Sequence, residues 1–305
     1  MSRRRFLTAL PACAAAPLWA PLAAPLLASP AVHAQPQVSP SVPRPLLSGD
    51  YRLVFGDDFT DDRLDRINED AAGTAAPAWR SRYRHPRRDI INGEKQLYVD
   101  PAWPGSGGRP LGLQPFGIRS GLLTIEARRA DPALIDTHLG GQRFTSGCLT
   151  SELTHWQTYG FFEMRARLPV GRGFWPAFWL LPKRDAWPPE IDVFEASGAR
   201  PGEVHVNVLD RQPGRPDGGG WFHLPRRRPD GFRVFAAEWT AERIAFFVDG
   251  RLLHAVTDHR IHEDMYLLAN LAVGSSDQRW IPDPDASTPF PGRFEIDYIR
   301  AFQRT

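Results

Sequence analysis

Three acidic residues lie close together in the segment from Trp187 to Gly198, among aliphatic and aromatic neighbours. They are Glu190, Asp192 and Glu195. Strand side chains alternate between two faces, so Glu190 and Asp192 share one face while the apolar side chains point to a core behind it. Acids this close push their pKa values apart, leaving one group ionised and another protonated near neutral pH. Such a set can perform acid–base and nucleophilic chemistry.

The third acid needs an irregularity in the strand to join the other two. Strict alternation would place Glu195 on the core side, where a carboxylate is costly. A single β-bulge between Asp192 and Glu195 adds one residue and returns Glu195 to the polar face. Glycoside cleavage with retention requires a carboxylate and a carboxylic acid about 5 to 5.5 Å apart. The pattern also fits a solvated polar strand face, or oxygen ligands for calcium.

Two neighbouring segments favour a sugar-binding groove. The run Gly173–Trp179 is rich in aromatic residues, and aromatic faces pack against sugar rings, although core packing is the ordinary explanation for most of them. In Val204–Val208 the valines share one face, so His205 and Asn207 share the other. These two side chains join the carboxylates if their strand lies beside the acidic strand, and face solvent if it does not.

The rest of the mature chain consists of short apolar or alternating runs separated by turn residues. Asp249-Gly250 is a strong two-residue hairpin signal between two such runs. Strands are predicted at Leu122–Ala127, Phe162–Leu168, Arg243–Val248, Arg251–Val256, Met265–Val273 and Arg293–Phe302. Because long helical periodicity is absent, we predict an all-β domain over residues 49–305, folded as a β-sandwich or jelly roll.

The N-terminus has the features of an export signal. Ser2–Leu7 fits the twin-arginine pattern, and an apolar run leads to the small residues of Val32–Ala34, which suit a signal peptidase. Prolines interrupt the run, which favours cleavage over a retained membrane helix. We expect a signal peptide at residues 1–34, a flexible Pro-rich lead-in at 35–48, and a periplasmic or secreted mature protein without a membrane segment.

The charge content argues against nucleic-acid binding, and the cysteine content argues against an intramolecular disulfide. The 37 basic and 35 acidic residues become 34 and 35 once the signal, with three arginines and no acids, is removed, so the net charge is about −1. Nucleic-acid binding needs a clustered basic surface, so we expect no such partner; the run Arg226–Arg228 indicates a solvated loop. Cys13 leaves with the signal, so Cys148 forms no intramolecular disulfide and is expected to be a buried hydrophobe.

A series of short motifs runs through the mature chain in a definite order. The motifs are Tyr51–Phe55, Asp57–Phe59, Asn92–Glu94 with Gln96 and Tyr98, Gly121–Leu123, Thr145–Gly147, Tyr159–Glu163, Trp175–Trp179, Glu190–Glu195, Phe235–Trp239 and Phe294–Arg300. In content and order they resemble glycoside hydrolase family 16, the family of laminarinases, lichenases, agarases and related endo-acting enzymes. The acidic segment resembles the catalytic motif of that family in its bulged form.

The resemblance implies a fold and a set of roles. The fold is a concanavalin-like β-jelly-roll sandwich of two antiparallel sheets, with a substrate groove on the concave face. Glu190 is the implied nucleophile, which forms a glycosyl-enzyme, and Glu195 the general acid and then general base. Asp192 between them is expected to hydrogen-bond the nucleophile and tune its charge. The implied groove-lining residues are Asn92, Trp175, Trp179, Trp187 and His205.

The resemblance also implies a possible metal site. No cofactor is required for the implied chemistry, but some members hold a structural calcium on the convex side. Asp297 matches the calcium position, with the carbonyl of Gly121 as a weaker candidate.

Pro189 stands before Glu190, where the family commonly has glycine, and Gly274-Ser275 replaces a common glycine pair. These differences affect the shape of the subsites more than the chemistry.

We therefore predict an exported, monomeric, retaining endo-acting glycoside hydrolase that cleaves internal β-1,3 or mixed β-1,3/1,4 linkages of a glucan. A bacterial exopolysaccharide depolymerase, a β-galactanase and a transglycosylase are alternatives within the same family. A non-catalytic carbohydrate-binding protein is the alternative outside it, and such a protein would have no reason to keep all three acids. A structural β-protein with a calcium-bound acidic strand is a further alternative, which predicts that chelation unfolds the chain.

Overall fold

The computed structural model describes residues 39–71, 78–210, 218–225 and 229–305. The predicted signal peptide, the beginning of the predicted lead-in and the run Arg226–Arg228 lie outside these residues. Helix within the described residues is confined to a 3₁₀ turn at Arg44–Leu46 and a short helix α1 at Pro132–Ile135. No helix in this part of the chain is long and apolar enough to cross a membrane.

Strands make up almost all the regular structure of the described residues, which confirms the all-β prediction. They are β1 (Tyr51–Asp57), β2 (Ile67–Asn68), β3 (Trp79–Arg80), β4 (Gln96–Tyr98), β5 (Phe116–Arg119), β6 (Leu122–Arg129), β7 (Phe144–Ser146), β8 (Cys148–Thr150), β9 (Gly160–Arg167), β10 (Phe174–Pro182), β11 (Glu190–Glu195), β12 (Glu203–Leu209), β13 (Gly220–His223), β14 (Arg233–Trp239), β15 (Arg243–Val248), β16 (Arg251–Thr257), β17 (Met265–Val273) and β18 (Gly292–Arg304).

The strands form two sheets that pack face to face. The groove sheet has the order β13-β12-β11-β10-β17-β8-β3-β2. The outer sheet has the order β16-β15-β14-β9-β18-β6-β7-β4, with β1 beside β18 and β5 beside β6. Two short pairs, β2–β3 and β4–β7, are parallel, which corrects the expectation of purely antiparallel sheets. The β4–β7 pair can be parallel because a long connection, containing the β5–β6 hairpin, joins its strands.

Local turn chemistry and hydrophobic pattern place several of these strands. β17 has the predicted bounds, because Met265–Val273 is an apolar run of strand length. Asp249 and Gly250 join β15 to β16 with φ angles of 49° and 77°. Two successive positive φ angles define the type I′ turn that an Asp-Gly pair favours. The predicted hairpin is confirmed.

The hydrophobic core lies between the two sheets. Phe194 of β11 packs with its ring centroid 4.1 Å from that of Phe235 in β14 and 6.2 Å from that of Phe294 in β18. All three rings are fully buried. This contact across the sandwich fixes the inner face of β11, and therefore also the direction of the side chains on its opposite face.

Part of the predicted lead-in packs against the free face of the outer sheet. Val42 is only 3% exposed and belongs to an apolar cluster with Phe161 of β9. Ser41 donates hydrogen bonds to Glu163 from its amide (3.0 Å) and its hydroxyl (2.6 Å). The expectation of a flexible segment is therefore wrong at these positions. The alternating pattern predicted β9 to be half-buried. Its first residues are buried on both faces, where this segment contacts Phe161 and Glu163, while Arg165 and Arg167 further along stay partly exposed.

Val42→Ala removes two methyl groups from this contact, so we expect the free energy of unfolding to fall by about 1–3 kcal/mol. Val170→Ala is a matched control, because Val170 is 52% exposed and its truncation changes stability by no more than about 0.5 kcal/mol. Urea unfolding of both variants measures the difference. Equal stabilities would mean that this segment contributes nothing to the fold.

Candidate active site

The acidic strand β11 contains the predicted bulge. Against β12, Asp192 pairs with Asn207 and Glu195 with His205, so β11 has one residue more than β12 between these pairs. The register against β10 shifts at the same place and leaves Val193 without a partner. An extra residue in one strand of an antiparallel pair is the definition of a β-bulge. The prediction made from the spacing of the acids is confirmed.

The bulge separates the acids from the apolar side chains. Val193 and Phe194 are consecutive in the sequence, yet both belong to the main core cluster. Glu190, Asp192 and Glu195 all line one groove, which has a volume of about 940 Å³. Without the extra residue, Glu195 would point towards the core. The groove face therefore collects all three carboxylates on one strand.

The register of the groove sheet arranges the site in rows across neighbouring strands. Directly paired residues of adjacent strands share a face. The rows are Asn270–Ala177–Glu195–His205–Trp221, then Trp179–Asp192–Asn207, then Glu190–Leu209. His205 and Asn207 therefore lie beside the carboxylates, which decides between the two positions that the sequence allowed.

Two nitrogen-bearing rings hold the carboxylate of Glu195. The indole nitrogen of Trp175 donates to Glu195 Oε1 at 3.1 Å, and His205 Nδ1 lies 3.2 Å from Oε2. Around these contacts is an aromatic wall: the Trp280 ring lies 5.2 Å from that of Trp175 and 4.9 Å from that of Trp221. His205 therefore contacts an acid as well as lining the groove, and the orientation of Glu195 is fixed from two sides.

The carboxylate of Glu190 has a different setting. The exposed indole of Trp187 (63%) donates to Glu190 Oε2 at 2.6 Å. Asp192 lies between Glu190 and Glu195 on the same face and is only 3% exposed. Glu190 and Glu195, the two outer acids, thus each accept a hydrogen bond from an indole. Asp192 between them is buried in the groove wall.

Hydrogen bonds to neighbouring groups also fix Trp179 and Asn92, two of the other predicted groove residues. Trp179 donates its indole hydrogen to Asn270 Oδ1 at 2.7 Å. Asn92 and Gly93 both have positive φ angles (51° and 59°), and Ser275 donates its hydroxyl to the Asn92 carbonyl. A Cβ on Gly93 would lie 2.0 Å from the nearest side-chain atom, so only glycine fits there. Asn92, Trp175, Trp179, Trp187 and His205 all line the groove, as predicted.

The groove also contains residues to which the sequence analysis gave no role in the groove. They include Tyr83, Glu94, Tyr266, Asn270, Gln278 and Trp280. Asn270 carried a signal, being a polar residue within the apolar run of β17. Trp280 follows a polar segment without periodicity, so no pattern pointed to it. Glu94 was part of a recognised motif without an assigned role.

Glu94 is a buried carboxyl group, only 5% exposed, on the wall of the groove. Gln96 donates its side-chain amide to Glu94 Oε2. Removal from water raises the pKa of Glu94 to about 7; hydrogen bonds from its neighbours oppose this rise and the charge of Glu195 adds to it. The group therefore changes its charge near neutral pH.

Comparison with known proteins agrees with this geometry. The family model of Glycosyl hydrolases family 16 matches residues 120–300. The chain belongs to glycosyl hydrolases family 16. The matched segment contains β11 with its three acids and ends in β18.

Several named proteins are similar to this chain. The endo-1,3-1,4-beta-glycanase ExsH of Rhizobium meliloti (strain 1021) is 37% identical over 219 residues, covering 69% of this chain and 43% of that protein. A beta-glucanase of Rhodothermus marinus is 36% identical over 211 residues, covering 61% and 69%. The catalytic domain of an endo-1,3-beta-glucanase (laminarinase) from Thermotoga petrophila RKU-1 matches with a TM-score of 0.66 and 28% identity, covering 84% and 99%.

The chain thus spans less than half the length of ExsH, and nearly all of the Thermotoga catalytic domain. The similarity to family 16 laminarinase structures confirms the jelly-roll sandwich.

The calcium position implied by the family resemblance has a different partner here. Asp297 Oδ2 accepts a hydrogen bond from Arg165 at 2.6 Å, and Arg165 also pairs with Asp230. Within the described residues, no three histidine, cysteine, aspartate or glutamate residues are grouped so that they could hold a metal ion. The guanidinium of Arg165 next to the carboxylate of Asp297 opposes a cation there; calcium held by Asp297 and the Gly121 carbonyl stays a prediction.

Glu94 gives the folded protein a specific pH dependence. Its pKa is about 7 in the folded protein, whereas the ordinary value for a glutamate in water is 4.5. The folded state therefore binds this proton more tightly than the unfolded chain, and stability falls as pH rises through that window. The free energy of unfolding falls by about 3 kcal/mol as pH rises from below 4.5 to above 7. Glu94→Gln removes this loss, so the variant gains stability relative to wild type between pH 5 and pH 8.

Urea unfolding at the two pH values measures this gain. Glu242→Gln, at an exposed glutamate, is the control and should follow the wild type at both pH values. A constant difference between Glu94→Gln and wild type across the pH range would contradict the assignment.

Proposed function

We propose that this protein is a retaining endo-acting glycoside hydrolase of β-1,3 or mixed β-1,3/1,4 glucans. The observation that carries the proposal is the β-bulge, which puts Glu190, Asp192 and Glu195 on one face of one strand inside a groove lined by aromatic residues. A polysaccharide fits a groove with this lining, because aromatic faces accept sugar rings and polar groups bind hydroxyls.

In the first step Glu190 attacks the anomeric carbon of the sugar. The bond from that carbon to the glycosidic oxygen breaks, and Glu195 gives its proton to this oxygen, which leaves with the rest of the chain. The product is a glycosyl-enzyme, in which the sugar is an ester of Glu190. In the second step Glu195 takes a proton from water, the water oxygen attacks the same carbon, and the ester bond breaks. Two inversions give retention.

The neighbouring side chains orient these groups. Trp175 and His205 hold the two oxygens of Glu195, which directs the proton towards one position in the groove. Trp187 binds Glu190 through its indole hydrogen. Asp192 lies between the two acids on the same strand face, and we propose that it hydrogen-bonds the nucleophile Glu190 and tunes its charge.

The relatives support the class of substrate. ExsH is named an endo-1,3-1,4-beta-glycanase, and the Thermotoga protein an endo-1,3-beta-glucanase. We extend this to the present chain as internal cleavage of a β-glucan. We further propose that the chain is exported by its twin-arginine-type signal, acts as a monomer, and needs no cofactor for the reaction.

Reducing-end release from a panel of polymers tests the activity. The panel contains laminarin, lichenan, barley β-glucan, agarose, galactan and succinoglycan. We expect activity on a β-glucan, and a loss of about 10²- to 10⁴-fold in Glu195→Gln because the proton donor is gone. Glu190→Gln is expected to abolish release. Arg119→Gln, at an exposed position outside the groove, is the control and keeps wild-type activity.

A folded wild type that binds a glucan as well as Glu190→Gln does, and cuts no polymer, would overturn the proposal in favour of a carbohydrate-binding protein. Cleavage of succinoglycan or galactan alone would keep the mechanism and change the substrate.

Azide distinguishes the roles of the two outer acids. With an aryl β-laminaribioside, Glu195→Ala should form a β-glycosyl azide, because azide attacks the glycosyl-enzyme and displaces Glu190. Glu190→Ala should instead form the α-glycosyl azide, because azide displaces the aryl group directly from the opposite face. Proton NMR of the anomeric hydrogen identifies each product. The reverse pairing of variant and product would contradict the assignment of nucleophile and acid.

A further inference from the structure

Glu94 is a buried carboxyl group of the groove that the proposed reaction does not use; Asp185, which also borders the groove, is exposed. It precedes β4, and the amide of the next residue, Lys95, bonds to the carbonyl of Val273 at 2.8 Å. Gln96 accepts from the Val273 amide at 2.7 Å and donates to Glu94. These bonds attach Glu94 to the end of β17, so its carboxyl group has a fixed place on the wall of the groove.

The position of Glu94 is open to a ligand that lies next to Glu195. The row across the groove sheet runs from Asn270 in β17 through Ala177 in β10 to Glu195 in β11. Glu94 lines the same groove as Glu195, and it is near enough for the charge of Glu195 to raise its pKa. A sugar bound beside Glu195 therefore lies in the part of the groove that Glu94 borders.

Glu94 is buried without a cation to compensate its charge. Within the described part of the chain no arginine, lysine or histidine forms an ion pair with it. Arg82 and Arg87 border a small cavity behind Glu94, but they pair with Glu69 and Asp100. Hydrogen bonds from the side chains of Gln96, Tyr98 and Asn92 reach Glu94, but these neutral donors do not supply the opposite charge that a buried carboxylate needs. Hydroxyl groups of a sugar would add further donors to its ionised form.

We propose that Glu94 binds a hydroxyl group of the polysaccharide in the part of the groove beside Glu195. The inference rests on the proposed function, since it takes a sugar as the ligand, and it adds a substrate-binding residue to the site. An ionised carboxylate is a stronger acceptor than a neutral carboxylic acid. The bound sugar therefore favours the ionised form of Glu94, and affinity rises with pH as Glu94 loses its proton.

Other ionisable groups face the same region. Tyr83, Tyr98, His85 and Asp89 border the cavity behind Glu94, together with Arg82 and Arg87. The other ionisable residues that line the groove with Glu94 are Glu190, Asp192, Glu195, His205, Arg84, Asp185 and Tyr266. A change of affinity with pH in one protein alone therefore does not identify Glu94. The identification requires the difference between two proteins that differ only at this residue.

Calorimetric titration with laminarihexaose tests the proposal without any contribution from catalysis. The two proteins are Glu190→Gln and the double variant Glu190→Gln/Glu94→Gln, each titrated at pH 5.5 and pH 8. We expect the second substitution to weaken binding about 10-fold or more at pH 8, and to have a smaller effect at pH 5.5. Glu94→Asp in the same background keeps the ionisable group and should keep the dependence on pH. Thermal melts verify that each variant is folded.

Equal affinities of the two folded proteins at pH 8 would overturn this inference and leave the proposed function intact. The same holds if Glu94→Gln weakens binding equally at both pH values, because the effect would then not depend on the charge. If laminarihexaose binds neither protein, both the glucan substrate and the role of Glu94 are wrong.

Discussion

The bulge in β11 is the constraint on which the site depends. A regular strand would bury one of the three acids in the core, where ionisation is costly. The extra residue lets Val193 and Phe194 both enter the core, and Phe194 locks this arrangement by packing between rings of the outer sheet. The apolar side of the strand thus holds the polar side in place. The packing of Val193 and Phe194 in the core therefore also sets the positions of the three carboxylates.

The groove is supported by a continuous layer of polar contacts on the β17 side. Trp179 donates to Asn270, whose amide donates to the Tyr98 hydroxyl at 3.0 Å. Gln96 links Glu94 to the backbone of Val273. These bonds join β10, β17 and β4, which belong to different parts of the chain. Groups held from behind lose little conformational freedom when a sugar binds, so the site is organised before the ligand arrives.

Burial gives the acidic residues of this fold different tasks. Glu163, on the outer sheet, is fully buried because residues before β1 cover it, and burial raises its pKa. There the carboxyl group attaches a chain segment to the sandwich through Ser41. Glu94 is buried just before β4, on the wall of the groove. Glu163 thus attaches a chain segment, whereas Glu94 is placed to bind a ligand because it borders the groove.

The sequence by itself determined the all-β class, the bulge and the hairpin at Asp249-Gly250, because alternation, spacing and turn chemistry are local properties. Its resemblance to family 16 implied groove positions for Asn92, Trp175, Trp179, Trp187 and His205. Only the tertiary structure decided which strands are neighbours, and so whether His205 faces the acids or the solvent. It alone decided that residues 41 and 42 cover β9, that Arg165 pairs with Asp297, and that Glu94 and Trp280 reach the groove. These contacts join segments far apart in the chain, and no local pattern encodes the partner of a side chain that packing brings to it.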